Sequence, residues 1–225
     1  NPTGVVFSED FTRQLGEWCL AKGLRVISDE MYCSLTYNGA EHHSPLMVVP
    51  ELQKTSAWIG GMSKSFAMTG WRIGYCAGPA ELLAGMRKIQ GQSTSNPTSI
   101  SQWAAVEALN GPQDFIAERA EVFKGRRDLV VSMLNQASGL KCPTPEGAFY
   151  VYPSCEGCIG KTTPDGKVIN GDGDFAAALL EAEGVAVVHG EAFGLSPFFR
   201  ISYATSTEAL TEACERIQRF TASLT

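Results

Sequence analysis

One lysine and one arginine lie close together in the stretch GGMSKSFAMTGWRIGY, residues 60–75, among small and hydroxylated side chains. The amine of Lys64 can form a Schiff base with an aldehyde when its loop is tight and uncrowded. The guanidinium of Arg72 can bind a phosphate through two parallel N–H donors. The pair therefore predicts a site for a small molecule that carries both an aldehyde and a phosphate.

A carboxylate and two further polar side chains complete this set of groups. Asp29 lies at the end of the run LRVISDE, and open α/β sheets bind their ligands at the carboxyl ends of strands. Its carboxylate can keep a pyridine nitrogen protonated, while Tyr32 and Asn1, the latter in the turn NPTG, can donate to a phenolate oxygen. Pyridoxal 5'-phosphate carries an aldehyde, a phosphate, a pyridine nitrogen and a phenolate oxygen. The residues therefore predict a site for this cofactor.

Helices and short strands must hold these residues in place. Ser8, followed by two acidic residues, predicts the start of a helix that ends near Gly23. Short apolar runs predict strands, and helical periodicity predicts helices. The predicted strands are residues 24–30, 55–61, 71–78, 147–153, 185–190 and 198–204, and the later helices are residues 80–90, 99–110, 113–136, 174–184 and 207–221. We expect the first of these strands to be buried, since buried parallel strands are continuous apolar runs.

Composition limits the classes of protein that this chain can be. With 225 residues, 44% of them hydrophobic and 19% charged, it has the composition of an ordinary soluble globular protein. The net charge of -6 gives no support for nucleic-acid binding, and no apolar run approaches the roughly 20 residues of a membrane helix. The seven cysteines are scattered and odd in number, which predicts reduced thiols and a cytoplasmic location.

Two other patterns could bind a metal ion, and we expect neither to do so. Cys155 and Cys158 could be half of a zinc site or a redox pair, but no second CxxC pair or nearby histidine completes it. The run NGDGDF imitates part of a calcium loop, but Phe175 replaces the glycine that such a loop requires. We expect its acidic residues, Asp172 and Asp174, to cap the following helix instead.

The motifs NPTG, SDEMY, SKSFAMTGWRIG and FRISYATS resemble those of the class I/II aminotransferases, in order and in spacing. The resemblance extends along the whole chain and is greatest to bacterial aspartate aminotransferases, including alphaproteobacterial members, some of which accept prephenate. It implies fold type I of the pyridoxal phosphate enzymes, with part of a mixed, mostly parallel α/β sheet and a small α+β domain. The expected division is residues 1–112 for the C-terminal part of the large domain, 113–138 for a long linking helix and 139–225 for the small domain.

The resemblance also implies a role for each cofactor residue. Lys64 would bind the cofactor covalently and later carry the proton between the substrate Cα and the cofactor. Asp29 would pair with the pyridinium nitrogen, Tyr32 and Asn1 would bond the phenolate oxygen, and Arg72 would hold the phosphate.

Substrate binding depends on a further arginine. By the same resemblance, Arg200 in FRISYATS would bind the α-carboxylate of the substrate, with Asn1 close by. Ser63 is a further phosphate candidate, although many family members carry the phosphate-binding serine three residues before the lysine, at the place that Gly61 occupies here.

The implied activity is transamination by a homodimer with shared active sites. The amino donor would be aspartate or glutamate, and the 2-oxo acid would be prephenate, 2-oxoglutarate or oxaloacetate. Family members carry a phosphate-binding turn and a ring-stacking aromatic residue before the NPTG motif. We therefore expect this sequence to be a C-terminal fragment that is inactive alone.

Two alternative functions are compatible with the same motifs. One is a different pyridoxal phosphate enzyme of the same fold, such as a β-lyase. The other is the non-catalytic, aminotransferase-like domain of a transcription regulator. A glycine-rich phosphate loop upstream would favour an enzyme, whereas an upstream helix-turn-helix would favour a regulator.

Overall fold

Helices and short strands make up the chain, which the computed structural model describes over residues 1–225. The chain divides into two units. Val6–Arg119 is called the N-terminal unit here, and Asn1–Val5 with Ala120–Thr225 is called the C-terminal unit. The three-part division into residues 1–112, 113–138 and 139–225 stays a prediction.

A three-stranded mixed sheet lies in the N-terminal unit. Strand β1 runs parallel to β2, and β3 runs antiparallel to β2, in the order β1-β2-β3. The elements are α1 (Glu9–Ala21), β1 (Ile27–Asp29), α2 (Pro45–Val48), β2 (Ala57–Gly61), β3 (Gly74–Ala77), α3 (Ala80–Ser93), α4 (Ser99–Asn110) and the beginning of α5 (Asp114–Leu134). The mixed α/β sheet that the sequence predicted is confirmed.

Helix α1 begins where its capping residues predict. The side chain of Ser8 accepts a hydrogen bond from the backbone N–H of Phe11 at 3.2 Å, which satisfies one free donor of the first turn. Gly23, with φ of +65°, follows the helix in the left-handed conformation that glycine adopts readily. The buried side of α1 contributes Cys19 to a small apolar core with Leu46 and Leu52.

Two strand predictions for this unit need correction. Strand β3 begins at Gly74 rather than at residue 71, because Thr69–Trp71 form a 3-10 turn and Arg72 is left-handed, with φ of 50°. Strand β1 is not buried, since Ile27 is 76% exposed. β1 also forms an edge of the sheet, with a hydrogen-bonded neighbour on one side only.

An antiparallel sheet with order β4-β6-β5 lies in the C-terminal unit. The elements there are β4 (Tyr150–Val151), α6 (Asp172–Glu183), β5 (Val188–His189), β6 (Phe199–Ser202) and α7 (Thr207–Ser223), with the rest of α5. The ring of Phe175 on α6 packs 5.0 Å from that of Phe199 on β6 and 5.5 Å from that of Phe220 on α7. These fully buried rings join helices and sheet into the small α+β core that the sequence predicted.

All seven cysteines are free thiols. Burial raises the pKa of Cys155 to about 12 and that of Cys158 to about 11, so both thiols stay protonated near neutral pH. Their sulfurs lie within reach of the carbonyls of Pro197 and Ser138. The CxxC pair is therefore part of the packing of this unit. No helix in the structure combines the length and the apolar character needed to cross a membrane.

Candidate active site

Three of the predicted cofactor residues meet at one edge of the N-terminal sheet. Asp29 is the last residue of β1, and Lys64 follows the end of β2 by three residues. Because β1 and β2 are parallel, their carboxyl ends lie at the same edge. The antiparallel strand β3 begins at that edge, where Gly74 pairs with Gly61. Arg72 precedes Gly74 by two residues and therefore lies at the same edge.

A tight turn holds Lys64. The backbone N–H of Ala67 donates to the Lys64 carbonyl at 3.0 Å, and Ala67 has a positive φ of 52°. Met62, which is fully buried, anchors the start of the loop, and its carbonyl accepts from the N–H of Met68 at 3.3 Å. The amine of Lys64 lies 5.8 Å from the centroid of the Tyr32 ring. The loop thus presents a half-buried amine beside a phenol.

The carboxylate of Asp29 is fixed locally and stays exposed. Its Oδ1 accepts a hydrogen bond from the backbone N–H of Met31 at 3.2 Å. The next residue, Glu30, continues the strand ladder by donating its N–H to the carbonyl of Ile59 at 2.9 Å. Asp29 is therefore held at the edge of the sheet, where a ligand can reach it.

Glu30 anchors the same edge from inside, a role that the sequence pattern did not assign. It is 5% exposed, and its carboxylate accepts from Ser28 at 2.9 Å and from Ser44 at 2.5 Å, while His42 Nε2 lies 2.7 Å away. Burial alone would raise the pKa of Glu30, but hydrogen bonds from His42, Ser44, Trp58 and Ser28 outweigh it and hold the pKa below its ordinary value. This cluster joins the loop before α2 to the end of β1.

Replacing Glu30 by glutamine should make the stability of the protein less dependent on pH. Since the folded pKa is lowered, the ionised carboxylate stabilises the fold above the ordinary value of 4.5, and this contribution disappears as the pH falls through the folded pKa. We expect Glu30→Gln to lower the free energy of unfolding by about 1–3 kcal/mol at pH 7. The difference between variant and wild type should shrink in acid, as measured by urea unfolding across pH.

The exposed Glu51 offers a matched control for that experiment. Glu51→Gln should change stability by less than about 0.5 kcal/mol at any pH, as is usual for surface positions. A Glu30→Gln deficit that stayed constant from pH 7 to pH 3 would contradict the ionised-carboxylate explanation.

Ser63 and Arg72 line one open cavity of about 430 Å³. The guanidinium of Arg72 is exposed, and its Nη1 donates to the carbonyl of Thr69 at 2.8 Å. A Cβ at Gly61 would lie 3.0 Å from the Met31 sulfur and 3.2 Å from the Gly74 Cα, so the backbone here is close to its neighbours. The cavity has both the space and the cation that a phosphate requires.

Arg200 lies in the C-terminal unit, on β6 opposite Val188 of β5. Its Nη1 donates to the side-chain oxygen of Asn1 at 2.7 Å. Its guanidinium carbon lies 4.6 Å from the centroid of the Tyr150 ring and 4.8 Å from that of Phe193. Two rings and an amide therefore hold this half-buried arginine in one orientation.

The predicted residues thus form two sets, one in each unit, and their roles stay predictions. The N-terminal unit holds Asp29, Tyr32, Ser63, Lys64 and Arg72, and the C-terminal unit holds Asn1 and Arg200. Asn1 lies beside Arg200, and its predicted roles at the phenolate oxygen and at the substrate carboxylate both stay predictions.

A family model described as aminotransferase class I and II matches residues 1–217. The chain belongs to this family. Pyridoxal phosphate is the cofactor of the class I and II aminotransferases, and the groups at the N-terminal sheet edge fit it. The amine of Lys64 matches the aldehyde of the cofactor, and the carboxylate of Asp29 matches its pyridine nitrogen. The phenol of Tyr32 matches its phenolate oxygen, and the guanidinium of Arg72 matches its phosphate.

Similar aminotransferases come from several bacteria. A protein of Rhizobium leguminosarum bv. phaseoli named "Probable aspartate/prephenate aminotransferase" is 60% identical over 98% of this chain and 55% of its own length. The aspartate/prephenate aminotransferase of Cereibacter sphaeroides is 54% identical over 100% of this chain and 56% of its own. The crystal structure of the aspartate aminotransferase from Rhizobium meliloti superposes with a TM-score of 0.96 and is 51% identical in sequence. The match covers 100% of this chain and 56% of the chain in that structure. The chain spans about half the length of these relatives.

Proposed function

We propose that this chain acts in pyridoxal phosphate-dependent transfer of the amino group of aspartate, or of glutamate, to a 2-oxo acid. The oxo acid would be prephenate, 2-oxoglutarate or oxaloacetate. The observation that carries the proposal is the meeting of Lys64, Asp29 and Arg72 at one sheet edge, at the ends of three neighbouring strands. The names of the similar bacterial proteins support the choice of substrates.

Each residue at the sheet edge has a distinct task in this proposal. Lys64 would hold the cofactor covalently and would serve as the base that accepts and returns the proton of the substrate Cα. Asp29 keeps the pyridine nitrogen protonated, Tyr32 donates its hydroxyl to the phenolate oxygen, and Arg72 with Ser63 holds the phosphate. When bound, pyridoxal phosphate withdraws electrons from the substrate Cα, which is what makes that proton removable.

Arg200 binds the α-carboxylate of the amino acid. A guanidinium offers two parallel N–H donors to the two oxygens of a carboxylate, a geometry that an ammonium group cannot reproduce. Asn1 occupies one donor direction of Arg200 and so limits the orientations in which the carboxylate can bind. This contact selects amino acids with a free α-carboxylate, whatever their side chain.

We also propose a homodimer and a cytoplasmic location. Ile89 on α3 and Ile100 and Trp103 on α4 are between 70% and 74% exposed, an apolar group that a second copy would cover. The seven free thiols are typical of a reducing compartment. A monomer in light scattering of the holoenzyme at assay concentration would contradict the dimer.

Replacing Arg200 by lysine tests the proposed reaction. In the holoenzyme, Arg200→Lys should raise the KM of every amino donor by about thirtyfold or more, because one charge-assisted hydrogen bond of the bidentate pair is lost. The measurement is steady-state transamination of aspartate and of a monocarboxylic donor with 2-oxoglutarate, and of glutamate with oxaloacetate. Arg219, an exposed arginine on α7, provides the control, and Arg219→Lys should leave the KM unchanged. A loss confined to dicarboxylic donors would instead assign Arg200 to the distal carboxylate.

A further inference from the structure

Strands β5 and β6 are joined by a connection that reaches back over Arg200. We propose that Asp172 and Tyr152 are positioning residues for the α-carboxylate site, because they lock residues 190–196 and thereby hold Phe193 against the Arg200 guanidinium. This inference rests on the proposed role of Arg200 and adds to it the residues that fix its direction. Residues 190–196 are called the clamp loop below.

The clamp loop provides one of the two aromatic contacts of Arg200. Phe193 lies 4.8 Å from the guanidinium carbon, and the other contact, Tyr150, belongs to β4 of the sheet itself. Tyr150 is buried in the sheet core, so its position follows from the fold. The position of Phe193 instead depends on the loop that carries it.

Polar groups hold the clamp loop at both ends. The carboxylate of Asp172, which is 2% exposed, accepts from the N–H of Glu191 at 2.7 Å and from the hydroxyl of Ser196. The hydroxyl of Tyr152 lies 3.2 Å from the carbonyl of Gly190 and 3.1 Å from that of Leu195, so the two carbonyls share its one donated proton. A buried charge and a buried hydroxyl are thus both used to close one short loop.

Phe193 provides the apolar packing of the loop, since its ring lies 6.1 Å from that of Tyr152, edge to face. Leu195 is 47% exposed and adds little to it. The backbone is nevertheless tightly closed, since a Cβ at Gly190 would lie 2.2 Å from the carbonyl oxygen of Leu195. Hydrogen bonds therefore set the loop conformation, and their loss would loosen Phe193 while the apolar core of the unit remains.

The charge of Asp172 is consistent with this role. Burial alone would raise the pKa of Asp172, but hydrogen bonds from the Ser196 hydroxyl and the Glu191 N–H outweigh it, and the pKa lies below its ordinary value. The carboxylate is therefore ionised at neutral pH and acts as a strong acceptor for both loop groups. Asp172 also begins α6, where the positive end of the helix dipole favours a negative charge.

A fixed guanidinium should bind a carboxylate better than a mobile one. If Phe193 leaves its place, Arg200 samples several rotamers and must be ordered again when the substrate binds. The loss should appear in the KM of the amino donor and be equal for donors with different side chains. It should leave the proton transfer itself, and therefore kcat, nearly unchanged.

The test uses variants of the holoenzyme with paired controls. Phe193→Leu and Asp172→Asn should each raise the KM of aspartate and of alanine by about fivefold to tenfold, with kcat within about twofold and the cofactor absorbance unchanged. Phe193→Tyr, which keeps the ring, should restore most of the affinity. Asp174→Asn, an exposed carboxylate on the same helix, should have no effect. If Asp172→Asn fails to fold, Tyr152→Phe removes only the hydroxyl and tests the same loop.

The outcomes separate this inference from the proposed function. If Arg200→Lys raises the KM but Phe193→Leu does not, the positioning inference is overturned and the carboxylate role of Arg200 stands. If the loop variants lower kcat at constant KM, their role is structural and the inference is again overturned. If Arg200→Lys itself leaves every KM unchanged, the proposed role of Arg200 is wrong and the inference falls with it.

Discussion

Replacing Lys64 by alanine in the holoenzyme should abolish both amino transfer and the covalent attachment of pyridoxal phosphate. Lys64 is the amine that the turn after β2 presents beside Tyr32. Loss of a positioned base alone lowers a proton-transfer rate by about a hundredfold to ten-thousandfold, and loss of the covalent bond adds to this. Borohydride reduction followed by peptide mapping locates the attachment, and the decrease in kcat measures the effect.

Lys54 offers a matched control for this experiment. It is exposed at the end of a 3-10 turn in the same unit, so Lys54→Ala should keep both the activity and the bound cofactor. Lys64→Arg is a second informative variant, because it keeps the positive charge but cannot form the covalent bond. Detection of the reduced cofactor on a different lysine would remove Lys64 from its proposed role.

Replacing Asp29 by asparagine should leave the cofactor bound but lower kcat by about a hundredfold. Asparagine keeps the side-chain oxygen that accepts from Met31, so the turn after β1 should persist. What is lost is the negative charge that keeps the pyridine nitrogen protonated, a charge-assisted hydrogen bond that contributes about 1.5–3 kcal/mol. The measurements are kcat for aspartate and the isotope effect on removal of the Cα hydrogen.

The exposed Glu41 provides the control carboxylate near the same loop, and Glu41→Gln should be indistinguishable from wild type. Turnover of Asp29→Asn within about threefold of wild type would show that another group protonates the nitrogen. A loss of cofactor from that variant would instead indicate that Asp29 acts in binding.

Local sequence signals predicted much of this structure. The Ser8 cap and the helical periodicity located α1, and the acidic end of an apolar run located Asp29 at the end of β1. Such features depend on neighbours in the chain, which the sequence displays directly. The meeting of Asp29 and Lys64 followed from the rule that parallel strands end at a common edge.

Contacts between distant residues were not predictable in this way. Asp172 was expected to cap a helix, because an acid at a helix start usually does so. That prediction is wrong: the N-cap of α6 is Gly171, without a side-chain cap, and the carboxylate of Asp172 accepts from Glu191 and Ser196, 19 and 24 residues further along the chain. The same holds for Glu30, whose partners His42 and Ser44 follow at distances of 12 and 14 residues. Both contacts depend on how loops fold back, which no local pattern records.

At Arg72, the residue that would bind the phosphate has a left-handed backbone that lowers the stability of the fold. With φ of 50°, this residue adopts a conformation that costs a side chain with a Cβ about 1 kcal/mol or more relative to glycine. A variant library sorted only for heat resistance would therefore be enriched in glycine or asparagine here, and would discard the guanidinium. The arginine marks a place where the protein accepts a weaker fold in exchange for a cation in the cavity that Ser63 also lines.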